Sequence, residues 1–128
     1  MNGWLICAAA ALATIGVCHS WLGERKIIGP LLLRSQDAGS HHMGRGTRRI
    51  IRGAWHLTSV TWIGGALIFL VIGANNLTDA TRGILVLTTL LYGSISVYLL
   101  LSTKGRHVAW PLFLAVSVFG AMPLVGAG

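Results

Sequence analysis

Four long apolar stretches alternate with short polar ones along this chain. Residues 3–22, 53–74, 83–102 and 108–126 contain no Asp, Glu, Lys or Arg. About 20 apolar residues are what an α-helix needs to cross the hydrocarbon core of a bilayer. The pattern predicts an all-α integral membrane protein, a single domain built as a four-transmembrane-helix bundle. Composition agrees. Only 10% of residues are charged, against about 25% in a soluble domain. With 54% hydrophobic residues and a mean hydropathy of +0.72, lipid has to serve as solvent for much of the surface.

Within the first span, Ala9, Ala13, Gly16 and Ser20 recur every three or four residues. They form a small-residue stripe suited to close helix approach in a membrane. A cleaved signal peptide is the rival reading of this span, and no Lys or Arg precedes the run to support it. Cys7 and Cys18 lie about 16 Å apart along the same helix, too far to pair, and read as small packing residues. Thr89, Tyr92 and Ser96 make a polar face on the third span, of the kind that hydrogen-bonds to neighbouring helices.

The first connection, residues 23–52, is the longest and the most basic. Its apolar Ile27, Ile28 and Leu31–Leu33 sit among Arg25, Lys26 and Arg34, with Pro30 as a start signal. This predicts a short interfacial helix. From Ser35 to Thr47 the chain turns polar and glycine-containing, which predicts a loop.

The net charge of +7 would raise nucleic acid in a soluble protein. Here the basic residues sit between apolar runs, which favours anionic lipid head groups as the partner and not nucleic acid. Arg25, Lys26, Arg34, Arg45, Arg48, Arg49 and Arg52 lie in the first connection, Lys104 and Arg106 in the third, and only Arg82 in the second. That bias predicts cytoplasmic first and third connections and both termini extracytoplasmic. Trp21, Trp55 and Trp110 would mark the cytoplasmic interface, and Trp4 the outer one.

In this orientation all five histidines fall on the cytoplasmic side. His19 ends the first span, His56 lies one turn inside the second, His107 opens the fourth, and His41 and His42 are in the loop. Glu24 is beside them. Imidazole with carboxylate is a common ligand set for zinc, copper or iron. His19, His56, His107 and Glu24 are the metal-ligand candidates, with Ser59 or Thr58 as supporting partners. Haem is the other cofactor expectation, with Arg52 or Arg106 pairing a propionate. The spacing matches no zinc signature such as HExxH or paired CxxC. The bland alternative is that these histidines only hydrogen-bond across helices. Ser20 follows His19 directly, and adjacent helix residues point about 100° apart, so those two do not make a nucleophile and its base. No catalytic residue is identified.

The strings HSWLGERKIIGPLL, RGAWHLTSVTW and RHVAWPLF resemble small bacterial four-helix inner-membrane proteins, over most of the chain. The resemblance implies a multi-pass protein of the cell inner membrane and brings no activity with it. The expectation is therefore a membrane protein with a His-rich cytoplasmic-interface site for a transition metal or haem, redox or hydrolytic. The alternative is a non-enzymatic accessory subunit or assembly factor of a larger complex, docking through the small-residue stripe and the Thr89–Tyr92–Ser96 face. A small-solute carrier is a third possibility, disfavoured by the lack of an acid or base within the spans. Four spans are few to enclose a site, so a homo-oligomer is a reasonable expectation.

Overall fold

The computed structural model describes residues 2–37 and 44–125. Helix α1 (Gly3–Gly23) passes through a π-helical turn (Glu24–Ile28) into α2 (Gly29–Asp37). Three further helices follow: α3 (Arg45–Ala74), α4 (Asp79–Ser102) and α5 (Ala109–Val125). Among the described residues there is no strand. Three helical runs, Gly3–Arg34, Arg45–Ala74 and Asp79–Ser102, are long and apolar enough to cross a membrane, and α5 is a shorter apolar helix. Its 17 residues span about 25 Å.

The helix ends follow from local chemistry. Asn2 caps α1 by accepting from the Trp4 N–H at 3.0 Å. Thr78 and Thr81 form a reciprocal capping box at the start of α4. Lys104 and Gly105 both take positive φ in the turn between α4 and α5, where glycine removes the steric cost. Pro30 has no N–H to give to a carbonyl four residues back. The backbone widens just before it, and Gly29 N–H reaches the Glu24 carbonyl, the five-residue step of a π-turn. A short helix thus does start around Pro30, as expected, but as a continuation of the first apolar helix. The second span starts at Arg45, eight residues before its apolar run begins at Gly53, and α2 runs on to Asp37, so both ends of the loop expected from Ser35 to Thr47 are helical. His41 and His42 lie outside the described residues.

Helix α1 sits between α3 on one side and α5 on the other, and α4 packs on α5. The core includes Leu5, Leu12, Phe69, Leu85, Phe113 and Val116. Around it, apolar side chains such as Val17, Leu57, Leu67, Val71, Leu87, Leu90 and Leu101 are exposed. That distribution, a small dry centre inside an apolar exterior, suits a lipid surround. Exposed hydroxyls turn back onto their own helix: Thr14 donates to the Ala10 carbonyl and Thr58 to the Ala54 carbonyl.

Candidate functional site at the α1–α3 seam

Two glycines let α1 and α3 come close. A Cβ on Gly16 would lie 3.1 Å from the Ser59 carbonyl oxygen, and one on Gly23 would overlap the Trp55 indole. The approach brings His19 and Ser20, consecutive on α1, against Ser59 and His56 on α3. The pairs cross. His19 Nδ1 hydrogen-bonds Ser59 Oγ at 3.0 Å, and His56 Nδ1 hydrogen-bonds Ser20 Oγ at 2.6 Å.

His19 is held by aromatic neighbours. It stacks on Trp55 with ring centroids 4.2 Å apart and planes 6° apart, and Trp62 meets it edge-on at 4.7 Å. The Trp55 indole N–H donates to the His19 carbonyl at 3.0 Å. This histidine is packed as well as hydrogen-bonded.

His56 is held by charge. Its Nε2 lies 3.3 Å from Glu24 Oε2, and Glu24 Oε1 lies 3.0 Å from an Arg52 nitrogen. A carboxylate paired with arginine only accepts hydrogen bonds. The His56 proton therefore belongs on Nε2, facing Glu24. That leaves the Nδ1 lone pair to accept from the Ser20 hydroxyl. Arg52, Glu24, His56 and Ser20 form one hydrogen-bonded chain across the seam. Glu24 owes its place to the first residue of the π-turn, a feature often found at functional sites.

The chain opens onto a groove of about 710 Å³ between α1 and α3. Ser20, Glu24, Arg25 and His56 line one end, and Val17, Val60 and Ile63 the other. Arg25 also lies over the Trp21 ring, 5.0 Å from its centroid. His56 and Glu24 are only partly exposed, so the polar end is reachable and its pairs are partly shielded from water.

Of the expected ligand set, only His56 and Glu24 touch. His19 is committed through Nδ1 to Ser59. His107 is exposed and caps α5, its Nδ1 accepting from the Ala109 N–H at 3.2 Å. Among the described residues, no group of three or more His, Cys, Asp or Glu side chains is placed to hold a metal ion. Arg52 pairs with Glu24, and Arg106 is exposed in the α4–α5 turn. Ser59 does support a histidine, as expected, whereas Thr58 bonds its own helix. Ser20 does not pair with its neighbour His19; its imidazole partner is His56, 36 residues away. The faces expected to dock a partner are used within the chain. Ser96 donates to the Trp110 carbonyl and Ser117 to the Thr89 carbonyl, while Ala9 and Gly16 are buried.

No family model, curated protein or solved structure matches this chain.

Proposed function

We propose that this is a membrane-embedded hydrolase or group-transfer enzyme acting on a substrate that enters from the bilayer. Ser20 is the nucleophile, His56 the general base, and Glu24 the group that orients the imidazole. Arg52 neutralises Glu24, and Arg25 is the cation available to charge developing on the substrate. The basic end of the bundle faces the cytoplasm, with both termini on the other side, in keeping with the distribution of Lys and Arg; the resemblance noted above supports a bacterial inner membrane.

The observation that carries this reading is the 2.6 Å contact between Ser20 Oγ and His56 Nδ1, with the opposite ring nitrogen turned to a carboxylate. A serine hydroxyl is a weak nucleophile until a base takes its proton. An imidazole with its far N–H held by a carboxylate has both the tautomer and the orientation for that task. The 3.3 Å separation from Glu24 is within the range that tightens once substrate is bound. A transition metal at the same place would draw on His56 and Glu24 as its first two donors and need further ligands from a second subunit. Haem draws less support, since His56 turns Nε2, the nitrogen that would ligate iron, to Glu24, and the His19 ring is packed against Trp55 and Trp62.

A fluorophosphonate probe, applied to the purified protein in detergent, tests the proposal. The expected result is one covalent adduct on Ser20, lost in Ser20→Ala and reduced at least about a hundredfold in His56→Ala. Ser96→Ala, which touches neither group, should label like the parent. An unmodified Ser20 in protein that retains its native thermal transition would overturn the proposal.

A further inference from the structure

The arginines that open α3 form a second feature joined to the first. Arg45, Arg48, Arg49 and Arg52, with Leu32 of α2, line an open cleft of about 530 Å³. Among the described residues, ion pairs involve only Arg52, Glu24 and His56. Arg45, Arg48 and Arg49 thus have no ion-pair partner among the described residues, and Leu32 gives the cleft an apolar wall.

Arg45, Arg49, Arg52, His56, Val60 and Ile63 follow the three- and four-residue spacing of one helix face. Along that face the chemistry comes in a fixed order. Arg52 stands about 6 Å from His56 on the basic side, and Ile63 about 10 Å from it on the apolar side, from the helical rise. First comes a cationic cleft, then the Ser20–His56–Glu24 chain, then the apolar groove. A glycerophospholipid has its groups in that same order: an anionic phosphate, ester carbonyls, then acyl chains.

Resting on the reading of Ser20 as nucleophile, we propose that the substrate is an anionic glycerophospholipid. Its phosphate lies in the arginine cleft, an ester carbonyl meets Ser20, and an acyl chain follows Val17, Val60 and Ile63. Planar guanidinium groups bind a lipid phosphate through paired N–H bonds, and net charge selects the head group, because a choline cation is repelled by the remaining arginines. In the reaction, Ser20 Oγ bonds to the carbonyl carbon while its proton passes to His56 Nδ1. The carbon–oxygen bond to glycerol then breaks, and the departing oxygen takes the proton from His56. Water, deprotonated by His56, attacks the acyl-serine. Fatty acid leaves, Ser20 regains its proton, and the second product is the lysophospholipid.

The test uses the full chain in detergent, mixed with micelles doped with phosphatidylglycerol or with phosphatidylcholine. Native mass spectrometry reads lipid retention, and fatty-acid analysis reads turnover. Phosphatidylglycerol should be retained preferentially and release fatty acid, and Ser20→Ala should retain it without release. The double variant Arg48→Gln/Arg49→Gln should lower its retention roughly tenfold or more, as expected for two surface arginines. It should lower phosphatidylcholine retention less, because the choline cation already offsets the charge of that lipid's phosphate. Equal retention of the two lipids, retention indifferent to the double variant, or retention without fatty-acid release would each overturn the substrate assignment even if Ser20 labels. Arginine-dependent binding of inorganic phosphate without arginine-dependent retention of phosphatidylglycerol would also overturn it, giving the cleft to free phosphate. Absence of the Ser20 adduct with intact, arginine-dependent lipid retention would instead strike at the nucleophile.

Discussion

Two of the helix seams of this bundle, α4–α5 and α1–α3, use similar small polar residues to different ends. Between α4 and α5, Ser96 and Ser117 each donate to a backbone carbonyl of the facing helix. The aromatic contact there is Tyr92 against Phe113, with centroids 6.1 Å apart. No imidazole or carboxylate meets either serine there, although the Thr89 hydroxyl is buried in the same seam without a hydrogen-bond partner. Between α1 and α3, Ser20 and Ser59 instead meet imidazoles, and one imidazole continues to a carboxylate and a guanidinium. A hydroxyl bonded to a backbone carbonyl is a fastener. A hydroxyl bonded to the lone pair of an oriented imidazole is available for chemistry. The difference lies in the partner and not in the serine.

The largest expected effect removes the residue the two seams share. Phe113 is buried and touches both Trp62 and Tyr92. Phe113→Ala leaves a cavity that helices fixed on both sides cannot close. The loss should be about 2–4 kcal/mol, the low side of the range for soluble cores because lipid offers no hydrophobic driving force between helices. Thermal unfolding in detergent measures it, and both seams should loosen together. A cut confined to one seam comes next. Gly23→Ala drives a Cβ into the Trp55 indole and should cost about 1–3 kcal/mol. It should also abolish Ser20 labelling by displacing α1 from α3. Gly83→Ala, where a Cβ meets nothing within 4 Å, is the matched control and should change neither reading.

The comparison sharpens with one serine from each seam. Ser96→Ala removes a 2.8 Å bond to the Trp110 carbonyl, worth about 0.6 kcal/mol between membrane helices. Ser20→Ala should cost a similar amount of stability. Only Ser20→Ala should lose the fluorophosphonate adduct. If the two variants were equivalent in both measurements, the distinction between fastener and nucleophile would fail.

Much of this architecture was legible in the chain, and the reasons are physical. Uncharged runs of about 20 residues have few folded options other than a long apolar helix. The residues of the site were legible too: His19, His56, Glu24 and Ser59 are polar groups at the ends of apolar runs, where they need partners. Their pairing was not. Helix α1 is apolar nearly all round, so its sequence does not determine which face turns to α3. That rotation decides whether Ser20 meets His19's environment or His56. The close approach of Gly23 to Trp55, a contact between distant segments, sets it together with the π-turn before Pro30. The helical start at Arg45 was missed because glycines at 44 and 46 read as loop, while the arginines between and after them are good helix formers.

The smallest expected effect on stability comes from Arg52, yet it bears most directly on how the seams differ. Its 3.0 Å contact with Glu24 is half-exposed, with the Arg52 side chain 52% accessible. A pair that open contributes about 0–1 kcal/mol to stability, and salt screens it further. Arg52→Gln should therefore leave the unfolding temperature nearly unchanged. Its effect belongs in the chemistry. Without the guanidinium, Glu24 is freer to leave His56 Nε2, and the imidazole loses the contact that fixes its tautomer. Labelling of Ser20 should slow by about tenfold, a fraction of the loss expected on removing the base itself. The α4–α5 seam has no counterpart to this behaviour, because its serines depend on backbone carbonyls that no side-chain substitution can turn away. Slower labelling at unchanged stability would show that the α1–α3 polar chain acts as a connected unit. Unchanged labelling would reduce Arg52 and Glu24 to an interfacial ion pair beside a serine and a histidine.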